Sequence, residues 1–288
     1  MRRHVITLSI IFVFLVGLSL MLYPYIARYF NSQSQSRAVS SYHEAVAAMD
    51  RVDLDAMREA AEEYNRRLPG RPNRLVPTED DSAEYRGLLN MSSSGIMGSL
   101  EISAIGVNLP IYHGTSEGVL QIGCGHYEGT SLPVGGEGTH TVITGHRGLP
   151  SSTLLTNLGD VVVGDLFALH VVGETLWYQV DRIQIIEPYE LESLDIEPGM
   201  DYCTVGTCTP YGINTQRLLV RGVRIDGPEA AVRQETPIRS EAGRIQITLP
   251  LLLILTPATF ILLVVQIVRV AKIYRKGKMA RGPGSGEL

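Results

Sequence analysis

The chain has 288 residues, of which 44% are hydrophobic and 19% are charged. Its formal net charge of −5 argues against nucleic-acid binding, which calls for a basic surface. The three cysteines, Cys124, Cys203 and Cys208, are too few for a small disulfide scaffold. Because three is odd, at least one thiol is free or paired with another chain.

Two long apolar runs lie near the ends of the chain, Val5–Tyr23 with 19 residues and Ile245–Val268 with 24. Each can cross a hydrocarbon core of about 30 Å as a helix that rises about 1.5 Å per residue. The first run is also compatible with a cleaved signal peptide, but the bulky flank after Tyr23 offers no small-residue cleavage site and favours a retained anchor. The second is also compatible with a buried soluble helix, although its two prolines are better tolerated in membranes. We predict transmembrane helices over residues 5–23 and 245–268.

Basic residues flank both runs on their outer sides and predict the orientation. Arg2 and Arg3 fall in residues 1–4, and six lysines and arginines fall in the tail over residues 269–288. Basic flanks stay in the cytoplasm, so both termini are predicted to be cytoplasmic and residues 31–244 extracellular at the plasma membrane. That external segment is long enough for one core with a helical annex.

The first part of the external segment is predicted to be helical. We expect a helical annex and connector over residues 31–97, because apolar residues recur there at three- or four-residue spacing. The expected features are a polar linker (Ser32–Arg37), helices within Val39–Leu68, an N-cap for the second of them (Asp53 or Asp55), a stop at Pro69-Gly70, and a short helix (Ser82–Met91).

From Gly98 the hydrophobic period changes to two, which indicates β-strands. Candidate strands are residues 98–102, 105–111, Thr141–Thr144, Leu166–Val172, Leu176–Ile186, Tyr202–Cys208 and Leu218–Ile225, with one helix near Ser151–Asn157. Many short strands separated by Gly- and Pro-rich turns predict a mainly β domain over residues 98–226, either a closed barrel or a sandwich. A linker over residues 227–244 follows.

Three side chains carry the candidate chemistry. Cys208 ends a predicted strand, Arg217 begins the next one, and His146 follows an earlier strand. A thiol activated by a neighbouring cation, an imidazole that moves protons and a guanidinium that stabilises an oxyanion are the parts needed for acyl transfer. Taken singly, each residue also has an ordinary structural interpretation: a buried inert thiol, a structural histidine or a solvated arginine.

The remaining cysteines and histidines could serve disulfide or metal chemistry. Cys203 lies five residues before Cys208, so the two side chains point to opposite faces of one strand. A disulfide between Cys124 and Cys203 is one alternative, but two buried thiols that fill small apolar positions are favoured. His113, His126, His140 and His146 are close in sequence, yet they lack compact zinc-ligand spacing, and no metal site is predicted.

Several linked motifs carry a resemblance to a known family. They are Leu109–Thr115, Glu128–Gly136, Thr144–Pro150 and Thr204–Gly222, the last containing Thr204-Val205-Gly206-Thr207-Cys208. In this order they resemble the sortases, and among these the class C, pilus-assembling type, whose T-L-x-T-C motif has valine for leucine here. The second membrane span and the helical annex are also traits of that class.

The resemblance implies a closed eight-stranded β-barrel with His146, Cys208 and Arg217 as catalytic residues and no cofactor. It implies cleavage of an LPXTG-like sorting signal through a thioester on Cys208. A lysine of a second pilin then resolves the thioester as an isopeptide bond, so pilins or surface proteins are the implied partners. Alternatives are anchoring of proteins to cell-wall peptide, a cysteine protease that releases product to water, and a non-catalytic membrane scaffold.

One part of the chain departs from the class C pattern. That class carries a lid with an Asp-Pro-aromatic anchor before the barrel, and residues 71–85 contain no such tripeptide. Ser82-Ala83-Glu84-Tyr85 resembles the sequence that follows the lid. The connector is therefore expected, whereas autoinhibition by a lid is not carried over.

Overall fold

A computed structural model describes residues 2–91, 95–230 and 269. Four α-helices and eight β-strands account for most of these residues. The helices are α1 (Arg2–Ala48), α2 (Arg51–Arg67), α3 (Glu79–Gly87) and α4 (Glu117–Ile122). The strands are β1 (Ile96–Ile102), β2 (Val107–His113), β3 (Cys124–His126), β4 (Thr139–Thr144), β5 (Leu166–Val171), β6 (Glu174–Ile186), β7 (Asp201–Thr209) and β8 (Gln216–Ile225).

The strands close into one barrel in the order β1-β2-β3-β4-β7-β8-β6-β5, with β5 pairing back to β1. Two pairs are parallel, β2 with β3 and β4 with β7, and the other pairs are antiparallel. The closed eight-stranded barrel is therefore confirmed, and the sandwich is excluded. The parallel pair β4–β7 and its neighbour β8 carry the candidate site.

The N-terminal annex is helical, but its boundaries differ from the predicted ones. The predicted linker over Ser32–Arg37 is wrong, because α1 runs through it without a break. Its polar residues do not end the helix, since Gln35 is buried against the barrel. Neither predicted N-cap is correct: Asp50 precedes α2 in an extended conformation and makes no side-chain capping bond.

The third helix begins earlier than its sequence pattern indicated. Thr78 and Asp81 form a capping box, in which each side chain accepts from the backbone N–H of the other. The helix therefore begins at Glu79, three residues before the predicted Ser82, and the connector that follows α2 is correspondingly shorter. The helix is then fixed by Tyr85, which is 1% exposed and belongs to the main core.

The annex is docked onto the barrel by polar and apolar contacts. The Asn65 amide donates to the Leu132 carbonyl at 3.0 Å and accepts from the Leu132 N–H at 2.7 Å. Tyr64 of α2 and Tyr85 of α3 are both buried in the same core cluster as the strand residues. Burial of a large apolar side chain contributes about 1.5–3 kcal/mol, so these contacts make the annex part of the folded domain.

Local patterns misassigned the segment after β4. The helix expected near Ser151–Asn157 is wrong: turns occupy these residues, with a 3₁₀ helix at Leu158–Asp160. Leu154 adopts a positive φ of 39°, which breaks helical geometry. The buried leucines Leu154 and Leu155 instead anchor an irregular loop. The short elements β3 and α4 were not predicted.

Among the described residues, one helix is long and apolar enough to cross a membrane by its length and composition. It is α1, and its apolar side chains are exposed, for example Phe12 at 67% and Leu20 at 71%. These features fit a membrane anchor. The predicted second span, residues 245–268, lies outside the described residues, as does all but residue 269 of the basic tail.

Candidate active site

A cavity of about 380 Å³ opens against the outer face of strands β4, β7 and β8. The loop between β6 and β7 forms its opposite wall. Its lining combines four ionisable side chains with an apolar floor and wall. The lining includes His146, Cys208, Arg217, Thr144, Gly206, Tyr127, Val142, Ile186, Leu191, Leu194 and Leu219. The structure thus brings all three predicted site residues to one cavity.

The alternation of β7 explains why Cys208 faces this cavity. Cys203 and Val205, on one face of the strand, are fully buried in the main core. Cys208 lies on the other face and is half-buried. In the antiparallel register, Cys208 is paired directly with Arg217 of β8. A thiol and a guanidinium therefore sit side by side on the same face of two neighbouring strands.

Cys124 and Cys203 are both free and buried, which is the state that the sequence favoured over a disulfide between them. Burial raises the pKa of the Cys124 thiol to about 12. Burial, followed by the negative charge of Asp201, raises the pKa of Cys203. Because the thiolate is the reactive form, both are poor nucleophiles. Of the three thiols, Cys208 is the one with access to a cavity.

His146 reaches the cavity through the parallel pairing of β4 with β7. Thr144 is in register with Gly206, and Gly145 N–H donates to the Gly206 carbonyl at 3.2 Å. Continued by two residues, this register brings His146 level with Cys208. The Thr207 hydroxyl reinforces the alignment by donating to the Gly145 carbonyl at 2.8 Å.

The loop after His146 folds back on itself. Leu155 N–H donates to the His146 carbonyl at 3.1 Å, and Gly148 N–H donates to the Thr156 hydroxyl at 3.1 Å. Leu155 is fully buried beside Gly145, where an added Cβ would lie 2.9 Å from the leucine side chain. The backbone around His146 is therefore held both by packing against Leu155 and by hydrogen bonds within the loop.

The outer edge of this loop is held by α1. Arg28 Nε donates to the Pro150 carbonyl at 3.1 Å, and Asn31 Nδ2 donates to the Ser151 carbonyl at 2.8 Å. One turn further along, Gln35 Nε2 donates to the Ser152 hydroxyl at 3.0 Å. The same helix that contains the apolar run thus supports the loop that carries His146.

Sequence reasoning missed one residue at the site, Glu117 of α4. His146 Nε2 lies 3.2 Å from each of its carboxylate oxygens. Hydrogen bonds from Gln121 and then from His146 lower the pKa of Glu117. Glu117 lies between the motifs Leu109–Thr115 and Glu128–Gly136 and belongs to neither, so only the folded chain reveals the contact.

Arg217 is oriented by backbone carbonyls of the β7–β8 turn. Its Nη1 donates to the Asn214 carbonyl at 3.3 Å and to the Gln216 carbonyl at 3.0 Å. None of the ion pairs found within residues 2–91 and 95–230 involves Arg217. A guanidinium without a carboxylate partner keeps its charge available to an incoming anion.

The wall opposite the strands is fixed by two side chains from elsewhere in the domain. Arg74, in the connector after α2, donates to the Gly129 carbonyl at 2.7 Å and to the Leu194 carbonyl at 3.0 Å. His140 Nδ1 lies 2.9 Å from the Asp195 carbonyl. Leu194 lines the cavity, so both contacts set the position of its wall. None of the cavity-lining residues comes from the described connector, residues 71–91.

The remaining histidines of the 113–146 window serve the fold. His113 contacts the Gly95 and Leu88 carbonyls, and His126 contacts Tyr85 and the Ser131 carbonyl. Within the described ranges, no group of three or more His, Cys, Asp or Glu side chains converges as a metal site would require.

Comparisons with known proteins agree with this architecture. A family model of the sortase domain matches residues 100–225. Sortase C1 from Streptococcus agalactiae has 44% sequence identity, and the match covers 66% of this chain and 99% of that one with a TM-score of 0.65. Streptococcus pneumoniae sortase C has 42% identity over 69% of this chain and 100% of that one, with a TM-score of 0.60.

A curated relative, sortase D of Bacillus subtilis, is 25% identical over 148 residues, which cover 50% of this chain and 72% of the relative. The barrel architecture, the share of each chain that the matches cover and the sequence identities all support one assignment. The chain belongs to the sortase family of cysteine transpeptidases, and its structural relatives are class C sortases.

Proposed function

We propose that Cys208 is the nucleophile of this transpeptidase, His146 its general acid and base, and Arg217 its oxyanion-stabilising residue. The observation that carries the proposal is the register of three adjacent strands. Cys208 pairs directly with Arg217, and His146 follows β4 where that strand runs parallel to β7. All three side chains line one cavity that is open to a peptide.

The proposed reaction begins with attack of the Cys208 thiolate on the threonine carbonyl of an LPXTG-like sorting signal. The Cys208 sulfur bonds to the carbonyl carbon, and the carbonyl oxygen becomes an oxyanion that accepts hydrogen bonds from the Arg217 guanidinium. As the threonine–glycine bond breaks, the His146 imidazolium protonates the leaving amine. The product is a thioester on Cys208 and a free glycyl peptide.

The second half of the proposed reaction returns the enzyme to its starting state. The incoming lysine first loses its ammonium proton to solvent, and His146, now neutral, accepts a second proton from the amine nitrogen as it attacks the thioester carbonyl. Collapse of the second oxyanion expels the Cys208 thiolate and leaves an isopeptide bond. The apolar floor and wall, including Val142, Leu194 and Leu219, suit the leucine and proline of the sorting signal.

We further propose that the acceptor is a lysine of a second pilin. The pneumococcal relative was described for pilin substrate specificity, and the class C likeness supports the same substrate class here. Transfer to cell-wall peptide is the alternative acceptor chemistry. A non-catalytic scaffold would require no open path from solvent to Cys208, and the half-buried sulfur argues against it.

The proposed topology retains two spans, residues 5–23 and 245–268, with both termini cytoplasmic and the domain over residues 98–226 extracellular. The exposed apolar surface of α1 and the basic flanks support it. This arrangement would put the cavity on the side of the membrane where secreted substrates emerge.

Product analysis tests the proposal. The full chain is incubated with a pilin that bears the sorting signal, and products are separated by size and mapped by mass spectrometry. Lysine-linked pilin ladders, absent with Cys208→Ala, are expected. Wall-peptide-linked monomers would favour the alternative acceptor, and ladders that persist with Cys208→Ala would refute the assigned nucleophile.

A further inference from the structure

The carboxylate of Glu117 is aimed at the imidazole of His146. Both of its oxygens lie 3.2 Å from His146 Nε2. The carboxylate is itself oriented, because Gln121 Nε2 donates to Glu117 Oε1 at 2.7 Å. The His146 side chain is 24% exposed and that of Glu117 is 71% exposed. The pair thus lies at the rim of the cavity, between α4 and the loop that follows β4.

The chemistry of the two groups sets the direction of the hydrogen bond. An ionised carboxylate only accepts, so the proton of this contact resides on His146 Nε2. The hydrogen bonds from Gln121 and His146, which lower the pKa of Glu117, keep that carboxylate ionised at neutral pH. With Nε2 engaged in this way, Nδ1 is the ring nitrogen left to exchange a proton with substrate.

The other ionisable groups around His146 do not provide a fixed negative charge. Tyr127, Cys208 and Arg217 line the same cavity, and Arg147 is the next residue in the chain. The two arginines are positively charged, and Cys208 loses its negative charge once its sulfur bonds to the substrate carbonyl carbon. A second source of negative charge is therefore most needed after the sulfur has bonded to the carbonyl carbon and before the imidazolium has given its proton to the leaving amine.

We propose that Glu117 is a positioning residue for the transfer reaction, holding His146 by Nε2 and stabilising the imidazolium whose Nδ1 proton goes to the leaving amine. This inference rests on the proposed roles of His146 and Cys208. It adds a residue that acts through the histidine and does not itself touch substrate.

The size of the effect follows from exposure. Solvent and salt screen a rim carboxylate, so loss of its charge is expected to lower the rate by about two- to fivefold. The effect shrinks as ionic strength rises. A merely structural contact would show neither a shifted pH dependence nor this sensitivity to salt.

The barrel contains a matched control pair. His170 Nε2 lies 3.0 Å from Glu101 Oε2, and the His170 and Glu101 side chains are 22% and 36% exposed. The pair joins β5 to β1, and neither residue lines the cavity. Glu101→Gln therefore removes the same kind of charge from the same kind of contact, at a distance from the reaction.

The first experiment reads the contact without turnover. The full chain in detergent micelles, labelled at the histidine ring nitrogens, is studied by NMR in a Cys208→Ala background, which removes coupling to the thiol. Glu117→Gln is expected to change the ring-nitrogen chemical shifts of His146 and to leave those of His170 in place, and Glu101→Gln is expected to do the reverse. Unchanged His146 ring-nitrogen shifts in Glu117→Gln would overturn the proposal.

The second experiment reads turnover in the enzyme with its native Cys208. In Glu117→Gln, the alkaline limb of the kcat/KM profile is expected to move to lower pH, with unchanged thermal unfolding. The Glu117→Asp variant, which keeps the charge, is expected to recover part of the loss. Higher activity than wild type at every pH would overturn the proposal, because it would mean that Glu117 holds His146 away from its working position.

These results distinguish a failure of the Glu117 proposal from a failure of the proposed function on which it rests. If the wild-type enzyme forms no acyl adduct on Cys208, the assigned reaction fails, and the catalytic role of Glu117 fails with it. If the adduct forms and the Glu117→Gln profile matches that of Glu101→Gln, only the role of Glu117 fails.

Discussion

Replacing Gln35 by alanine is expected to slow transfer without unfolding the barrel. Gln35 lies on α1, does not line the cavity and is 9% exposed. Its side chain donates to the hydroxyl of Ser152, in the loop that begins with His146. The substitution therefore removes a support of the histidine loop and leaves every cavity-lining side chain in place.

The magnitude can be worked from burial. Ser152 is 2% exposed, so loss of its partner leaves a buried hydroxyl unpaired, at a cost of about 1–3 kcal/mol. Since 1.36 kcal/mol is tenfold, the supported loop conformation would lose population by a factor of about 5 to 150. Buried Leu155 still anchors the loop, so we expect kcat to fall near the lower end of that range.

The assay combines kinetics with hydrogen exchange on the full chain. In Gln35→Ala, amides of residues 147–157 should exchange faster and kcat should fall, while the amides of β7 and β8 stay protected. Ser34→Ala, an exposed neighbour on α1, is the matched control and should behave as wild type. Unchanged exchange in the loop, together with unchanged kcat, would refute the idea that α1 supports His146.

Three further predictions concern other parts of the molecule. Arg217→Lys should lower kcat by about 100-fold, because a point charge cannot replace the guanidinium fork at an oxyanion; near-normal turnover would count against that role. Arg74→Lys should raise KM for the sorting peptide by about tenfold with little change in kcat, because one ammonium cannot reach both carbonyls that fix the cavity wall at Leu194; a loss confined to kcat would contradict this. Burial lowers the pKa of His126 to about 4, so the unfolded chain binds a proton that the native chain does not between about pH 6.5 and 4. Stability should therefore fall by about 3 kcal/mol as pH falls through that window, and urea unfolding of His126→Gln should show a flatter dependence; the same slope in both proteins would refute this assignment.

The period-two pattern predicted most strands of the barrel because they are long enough to show alternation. It missed β3, whose three residues are too few for a periodic signal. It also could not reveal that β4 runs parallel to β7, since pairing is a long-range property. That pairing is nonetheless what brings His146 level with Cys208.

The loop after β4 shows why local propensity failed. The two good helix formers of residues 151–157 are Leu154 and Leu155, yet the core holds both of them and α1 holds Ser151 and Ser152. These tertiary contacts override local preference. Glu117 was missed for a similar reason: it contacts a histidine 29 residues away, and no short motif records such a contact.

Trapping the acyl-enzyme is the most direct test of the central claim that Cys208 attacks the sorting signal. The full chain is incubated with an LPXTG-type peptide in the absence of an acceptor amine, then analysed by intact mass and peptide mapping. We predict one adduct, on Cys208, with the mass of the peptide acyl group and discharged by an added lysine amine. Transfer of the peptide with no adduct on Cys208, or with the adduct on Cys124 or Cys203, would contradict the account.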